Sequence, residues 1–415
     1  MQKKILIIGN GAKEYALAKK LSVNNDIYIT PASDTLKEFA TCLDIREDSI
    51  HELLDFVMEN EINMTIASSD KAINSDIATL FNDNKMPIFA PSAKACEIIS
   101  NKSVAKKTLY KLKIPTPKFG IFEKLNLATD YIKNQKYPFV IKTNDSNSAT
   151  IITSEKTAKI ILESIYSEKN KKAVIEDYVY GTPFSFYTVT DGYKALPIGS
   201  SLTYKHALEG NGGQLSSGMG ACVPNYKLSV ENEYFLMDNV IYPTLEYLEM
   251  SGNPYTGILG VNGIITDEGQ IAVLGWQSFT QDIDSDAIFN SIDNDLYYLF
   301  ESCIVGSFSD EYDEIHLNNN QSVSLVLTCK NKENKKNIII SGTDNLEDDT
   351  QISFYPAVSK NKYLEWEASD GPAIVLTSMS SSLSKARDKV YKEASDIDFY
   401  GIFYRKDICK SYTNA

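Results

Sequence analysis

Residues 3–100 alternate short apolar runs with helical patterns, and that alternation restricts the fold more than any other feature of the chain. Lys4–Ile8 ends in Gly9-Asn10-Gly11, and Glu14–Leu21 follows with Ala16, Leu17 and Leu21 on one helical face. Asp26–Thr30 reads as a second strand, Glu52–Glu59 as a helix, and Met64–Ala67 as a third strand. Ser75–Phe81 reads as a helix and Pro87–Phe89 as a short strand. Strands that return only after a helix pair in parallel, so this region predicts a helix-covered parallel sheet of Rossmann-like type.

The basic amphipathic stretch Ser100–Leu112 runs into Ile114-Pro115-Thr116-Pro117, where two prolines end any helix and mark a domain edge. Beyond it, Pro138–Thr143, Thr150–Thr153 and Ala173–Val179 read as strands around a helix at Glu155–Tyr166. Phe184–Thr190 reads as a further strand, and together these predict a small unit over 115–190. Gly210, Gly212, Gly213, Gly218 and Gly220 crowd eleven residues, which predicts a loop that something else must order. A helical stretch over Val230–Met250 should break near Pro243, and Gly257–Thr266 with Gln270–Trp276 reads as a hairpin around Asp267-Glu268-Gly269. After about residue 318 strands dominate until a helix at Leu383–Ala394. The resulting division is 1–114, 115–190, 191–317 and 318–415.

Composition narrows the function. The 415 residues carry a net charge of −14, which disfavours nucleic acid and anionic membranes as partners. The N-terminal apolar run is too short for a signal peptide, and no stretch approaches the ~20 apolar residues of a membrane helix. A cytoplasmic protein acting on small molecules is expected. Six cysteines, no two closer than 26 residues, form no CxxC pair and predict reduced thiols. Only three histidines argue against a multi-histidine metal site.

Several stretches carry a resemblance. Ile7-Ile8-Gly9-Asn10-Gly11-Ala12-Lys13-Glu14, Val140-Ile141-Lys142, Val174-Ile175-Glu176-Asp177-Tyr178, Ser217-Gly218-Met219-Gly220-Ala221, Tyr255-Thr256-Gly257 and Phe403-Tyr404-Arg405-Lys406-Asp407-Ile408 occur in order along the chain. Together they resemble the glycinamide ribonucleotide synthetases, the phosphoribosylamine–glycine ligase family of the ATP-grasp superfamily. The resemblance implies an ATP-grasp body with a Rossmann-like N-terminal domain, a lid, a central domain and an α+β C-terminal domain. It implies a purine-biosynthetic reaction in which ATP activates glycine's carboxylate and the amine of phosphoribosylamine attacks the acyl phosphate.

The same resemblance assigns Lys102 and Lys142 to the ATP phosphates and the Glu176-Asp177-Tyr178-Val179 backbone to adenine. Gly9, Asn10 and Gly11 with Ser217, Gly218, Met219 and Gly220 fall to the substrate phosphate and ribose, and Lys205 to catalysis. Backbone N–H groups at Gly9-Asn10-Gly11 open a helix, which suits an anion. Glu14 stands where a dinucleotide fingerprint needs its third glycine, so a nicotinamide-dependent oxidoreductase is the weakest reading.

Other positions depart from the family. Its glycine- and lysine-rich phosphate loop is replaced by Thr143-Asn144-Asp145-Ser146-Asn147-Ser148-Ala149-Thr150. Its Gly-Glu-Glu becomes Gly181-Thr182-Pro183, and its Asp-His-Lys-Arg becomes Thr203-Tyr204-Lys205-His206. The two metal-ligand positions, Glu and Asn in the family, are Gly275 and Gln277, and the family arginine two positions on is Phe279. Asp282, Asp284 or Asp286 could take over the Mg²⁺. Three outcomes stay open: an impaired ligase of the family's reaction, an ATP-grasp ligase for another carboxylate and amine, or a non-catalytic chain that binds a nucleotide or a partner protein.

Overall fold

The computed structural model describes residues 2–144, 149–168, 171–347 and 349–410. The N-terminal domain is a five-stranded parallel sheet in the order Thr41–Cys42, Asn25–Thr30, Lys3–Ile8, Met64–Ala67, Ile88–Phe89. The central strand is fully buried at Ile5–Ile8, as a parallel strand covered on both faces must be. The chain order reverses between Lys3–Ile8 and Met64–Ala67. This is the switch point, where open α/β sheets form clefts. The helix Ala12–Ser22 starts there.

The lid is an antiparallel sheet, Phe119–Phe122, Ala173–Asp177, Phe139–Thr143, Ala149–Ile152. The helices Leu125–Ile132 and Glu155–Ser167 cover one face around Ile141, Ile152, Leu162 and Ile175. Residues 145–148, in the loop that the sequence marks as lacking glycine and lysine, lie outside the described residues.

The strand Thr182–Thr190 corrects the sequence division. Read as the last strand of the small unit, it pairs with Ala195–Thr203 and Gly257–Ile265 in a different sheet. That antiparallel sheet runs Ile271–Ser278, Gly257–Ile265, Thr182–Thr190, Ala195–Thr203, Gly220–Val223, Gln321–Cys329, Gly371–Ser380, Thr350–Phe354. It joins the segments read as separate central and C-terminal units through Gly220–Val223 on Gln321–Cys329. Thr182–Thr190 is buried on both faces from Phe184 to Thr190, flanked by Ala195–Thr203 on one side and Gly257–Ile265 on the other.

Two other expectations shift. The glycine-rich loop is partly ordered as a hairpin, His206–Leu208 against Gly212–Leu215. The fully buried Arg405 holds it, donating to the His206 carbonyl and the Asn211 side chain while pairing with Asp407. The Val230–Met250 stretch breaks as a π turn at Met237–Ile241, because Pro243 has no N–H to continue the ladder.

The expectation of reduced thiols fails for one pair. Cys222 and Cys409 are joined as a disulfide with their Cα atoms 6.3 Å apart, across a sequence separation of 187. Spacing could not reveal it, because the two cysteines lie 187 residues apart in sequence and meet only in the tertiary fold. Among the described residues no helix is long and apolar enough to cross a membrane.

Gly181 connects lid and large sheet at φ +144°, and a Cβ there would stand 2.1 Å from the Ile265 carbonyl oxygen. We expect Gly181→Ala to destabilise the protein by about 2 kcal/mol or more, as backbone strain and overpacking add. An unchanged urea midpoint would show that the junction relaxes freely.

Candidate functional site

Helix Lys102–Lys111 is capped by Asn101, whose side chain accepts from the Ser103 and Val104 amides. Asn144, at the end of a lid strand, reaches the same helix start. Its backbone oxygen accepts from Lys102 N at 2.9 Å and its side-chain oxygen from Ser103 N at 2.9 Å. These bonds fix the helix against the lid and bring Lys102 beside Lys142 on Phe139–Thr143.

Glu176 ties the same parts together from beneath. It is 2% exposed, pairs with Lys106 at 2.6 Å, and forms a very close ion pair with Lys142. Lys106 is equally buried and also donates to Thr116 Oγ1 at 2.8 Å. Burial alone would raise the Glu176 carboxyl, but Lys142 and Lys106 outweigh it and hold it below the usual range. Burial pushes Lys106 down to about 8 against the pull of Glu176. Lys102 also falls to about 8, through burial first and then the Lys142 and Lys205 charges. Lys205 is lowered by burial and by Lys142, with Asp284 opposing.

The structure therefore gathers Lys102, Lys142, Lys205 and Glu176, separated widely in sequence, into one electrostatic unit. It adds Lys106, which sequence reasoning missed. The signal was a lysine four residues after Lys102 on the same helix face, hidden because a lysine on an amphipathic helix is ordinarily solvated. Glu176 is placed as a structural anchor through its side chain. The lid strand Ala173–Asp177 ends one residue later, with Asp177 N bonded to Lys118 O, so Tyr178 and Val179 stand outside the ladder.

In the turn assigned to the substrate phosphate, two amides are bonded within the chain, Gly9 N to Thr30 O and Gly11 N to Glu14. Gly11 N donates to Glu14 Oε2 at 2.8 Å, and a Cβ at Gly9 would meet Glu14 Oε1 at 2.5 Å. Ser68 Oγ donates to Glu14, and Lys13 lies 3.6 Å from it. The Glu14 carboxylate thus packs against the Gly9-Asn10-Gly11 turn and takes up the Gly11 amide. In Ser217-Gly218-Met219-Gly220 the backbone is used for packing. Met219 N bonds Tyr204 O, Val326 N bonds Met219 O, and Gly218 admits Ile283 where a Cβ would lie 2.6 Å from Ile283 Cδ1.

The residues at the metal-side positions do not fit an Mg²⁺ site. Gly275 brings no ligand. Gln277 Oε1 accepts from Asn262 Nδ2 at 2.6 Å, and its Nε2 donates to the Phe279 carbonyl at 3.3 Å. Asp282 Oδ1 accepts from Lys13 N. Asp284 is fully buried and accepts from Tyr187 Oη and Ser201 Oγ, and burial raises its carboxyl to about 6. Asp286 is buried against Ser353 Oγ, and burial raises it to about 6 as well. Among the described residues no three His, Cys, Asp or Glu side chains converge on a cation position. The suggestion that Asp282, Asp284 or Asp286 takes over the metal is therefore not supported, because each serves another element.

A small antiparallel lid beside a large antiparallel sheet, with interacting lysines contributed by both, defines an ATP-grasp protein. The phosphoribosylglycinamide synthetase ATP-grasp (A) domain matches residues 100–285 and the phosphoribosylglycinamide synthetase N domain residues 3–98. The chain belongs to the phosphoribosylglycinamide synthetase family. Phosphoribosylamine–glycine ligase of Caldanaerobacter subterraneus is 27% identical over 422 residues, covering 99% of this chain and 100% of that protein. The Clostridium acetobutylicum protein of the same name is 27% identical over 98% of this chain and 100% of its own length. In solved structures, the Thermotoga maritima phosphoribosylamine–glycine ligase superposes with a TM-score of 0.81 at 19% identity, over 98% of this chain and 100% of that one. A biotin carboxylase domain from Hydrogenobacter thermophilus superposes at 0.74 and 14% identity, over 97% and 92%.

We expect Glu176→Gln to cost about 3–5 kcal/mol in urea unfolding at pH 7, the usual penalty for stripping a buried pair of one partner. The wild-type contribution has a definite sign. A carboxyl held below its usual value contributes stability above pH ~4.5 and loses it as pH falls through the lowered value. A loss under about 1 kcal/mol would mean that Lys106 and Lys142 find other partners.

Proposed function

We propose that this protein is an ATP-dependent carbon–nitrogen ligase of purine biosynthesis that joins glycine to phosphoribosylamine, far more slowly than relatives with a complete metal clamp. The observation that carries the ligase reading is the lysine cluster at Lys102, Lys106, Lys142 and Lys205, placed between lid and large sheet in a chain similar to such ligases along nearly its whole length. The donor set at Gly275 and Gln277 carries the slow rate.

In this reading Lys102 and Lys142 hold the nucleotide phosphates, and Lys106 fixes Glu176 so that Lys142 points into the cleft. The free backbone edge at Tyr178 and Val179 takes the adenine. Glycine's carboxylate attacks the terminal phosphoryl group, ADP leaves, and the phosphoribosylamine nitrogen displaces phosphate from the acyl phosphate. Lys205, between Lys142 and Asp284, offsets charge as it gathers on the transferred group. ATP-grasp ligases use Mg²⁺ with their ATP. Since the donors here do not fit that ion, every step is assigned to the chain's own residues. A cytoplasmic location goes with these substrates.

ADP release with glycine, phosphoribosylamine and ATP tests the reading. Turnover well under ~1 s⁻¹, dependent on both substrates, is expected; a rate in the ordinary range of ~1–10³ s⁻¹ would overturn the slow-turnover part. Complete silence would favour the second reading, a non-catalytic nucleotide binder, which the same donor set supports.

Lys142→Ala should weaken ATP binding about tenfold or more, as loss of a charged hydrogen bond worth ~1.5–3 kcal/mol requires. Unchanged affinity in calorimetry would remove Lys142 from the phosphate site. Affinity should also fall as pH rises through about 8, where Lys102 of the unliganded protein loses its proton. A flat profile from pH 7 to 9.5 would show that the Lys102 charge does not contribute.

A further inference from the structure

Cys222 and Cys409 join the large sheet to the chain's last turn, and the proposed reaction uses neither. Cys222 sits in Gly220–Val223, opposite Leu202 on one side and Val323 on the other. Cys409 follows Ile402–Phe403, the last strand among the described residues. Beyond that strand, side chains and the disulfide hold the backbone. Tyr391 Oη donates to Arg405 O at 2.8 Å and accepts from Ile408 N at 3.1 Å, and Arg387 donates to the Lys406 and Ile408 carbonyls.

Tyr204 is where this turn meets the site. Its Oη accepts from Cys409 N at 3.1 Å and stands 3.9 Å from Cys222 Sγ. Its backbone is held on both sides, with Tyr204 N on Gly220 O and Met219 N on Tyr204 O. The next residue is Lys205, whose carbonyl accepts from Ser216 N at 2.7 Å and Ser216 Oγ at 3.0 Å. Between these two lies the hairpin of His206–Leu208 and Gly212–Leu215, which leans on the same turn. Asp407 accepts from Gly210 N, and Glu209 Oε1 accepts from Lys406 N. A glycine-rich hairpin thus takes its order from a turn that the disulfide ties to the sheet.

Two observations mark the tie as one that opens. Cys409 holds φ +54°, a left-handed backbone that a residue with a side chain keeps only where its surroundings impose it. Breaking the bond removes one of those constraints. Disulfides are also rare in cytoplasmic proteins, where they are usually transient and catalytic or redox-sensing.

We propose that Cys222–Cys409 is a reversible redox latch that orders the hairpin behind Lys205 when closed and releases it when opened by a dithiol. One thiolate of the dithiol attacks a cysteine sulfur, the S–S bond breaks, and the other cysteine leaves as a thiolate. The second reagent thiolate then displaces the first cysteine, forming a cyclic disulfide. The two cysteines gain two electrons and two protons, and a small-molecule disulfide reverses the exchange. Both sulfurs are buried, so attack follows lifting of the turn. The compartment and the link to activity through Lys205 rest on the ligase reading; the geometry of the latch does not.

The intact chain, treated with dithiothreitol or oxidised glutathione and freed of reagent, is followed by alkylation in denaturant and by amide exchange. Four of its six cysteines should alkylate after oxidation and all six after reduction. Amides of 206–215 should exchange roughly tenfold or more faster in the reduced protein, as a more readily opened segment does. Those of the lid strand Ala173–Asp177 should stay unchanged, and oxidised glutathione should restore the slow exchange. Cys409→Ser, checked for a retained melting transition, should exchange like the reduced protein and ignore dithiothreitol. Six alkylated cysteines after oxidation, equal exchange in the two forms, or a dithiothreitol response in the folded variant would each overturn the latch. The wild-type comparison decides alone should the variant fail to fold. ADP release is read on the same samples and should be lower after reduction. Faster hairpin exchange with no ADP release from either form would overturn the ligase reading and leave the latch standing.

Discussion

The buried ion pairs of Glu176 hold the site together. One carboxylate at 2% exposure joins Lys106 on the helix after the N-terminal domain to Lys142 on a neighbouring lid strand. Desolvating these groups is costly, and mutual attraction repays it only where the geometry is close and the remaining polar atoms are satisfied. Thr116 meets that need for Lys106, from within the proline-bounded linker. The linker, the helix and the lid are therefore fixed by one electrostatic unit. Asn144 adds a neutral tie above it, by bonding the first amides of the same helix. Lid orientation and lysine placement are consequently one property, and a change in either disturbs the other.

The sequence revealed what depends on local pattern. The parallel sheet could be read from strand–helix alternation, and the hairpin around Asp267-Glu268-Gly269 from its turn residues. Lys102 and Lys142 could be placed by resemblance and do lie together. What escaped depends on distant partners. Thr182–Thr190 has the periodicity of any strand, so which sheet it enters is decided by Ala195–Thr203 and Gly257–Ile265. Lys106 looks like a solvated lysine until Glu176 is placed beside it. Glu14 was read as the start of a helix, as part of the stretch carrying the resemblance and as the residue that spoils a dinucleotide fingerprint. Its carboxylate turns back to accept from Gly11 N, a bond that helical periodicity does not reveal. The pairing of Cys222 with Cys409 was invisible for the same reason.

The C-terminal segment illustrates how a remote stretch conditions the cleft. Arg405, 1% exposed, bonds the hairpin at its His206 carbonyl and Asn211 side chain, while Asp407 accepts from Gly210 N. Five glycines in this region would leave the backbone too free to settle. A planar guanidinium with several fixed donors supplies the order that the glycines lack. Lys205, immediately before the hairpin, is thereby held near Lys142 and Asp284. The resemblance at Phe403–Ile408 thus has a physical role in ordering the backbone next to Lys205.

Loss of carboxylates from one wall and retention of lysines on the other are linked by the sign of the local potential. In a clamp with acidic side chains, lysines and carboxylates offset each other, and a divalent cation enters a region close to neutral. With Gly275 and Gln277 in place, no side-chain carboxylate stands at the two positions themselves, while Glu176 pairs with Lys106 and Lys142 and Asp284 interacts with Lys205. Asp284 is itself pushed to about 6 by burial, so its charge is weakened. A neutral amide network suits such a wall, because it adds structure without adding charge and keeps its own oxygens satisfied. Restoring one carboxylate alone would leave the Asn262–Gln277 bond to compete for the cation. The change from a metal-holding wall to an amide wall therefore has to be understood as a set of residues acting together, with Asn262 as much a part of it as Gly275.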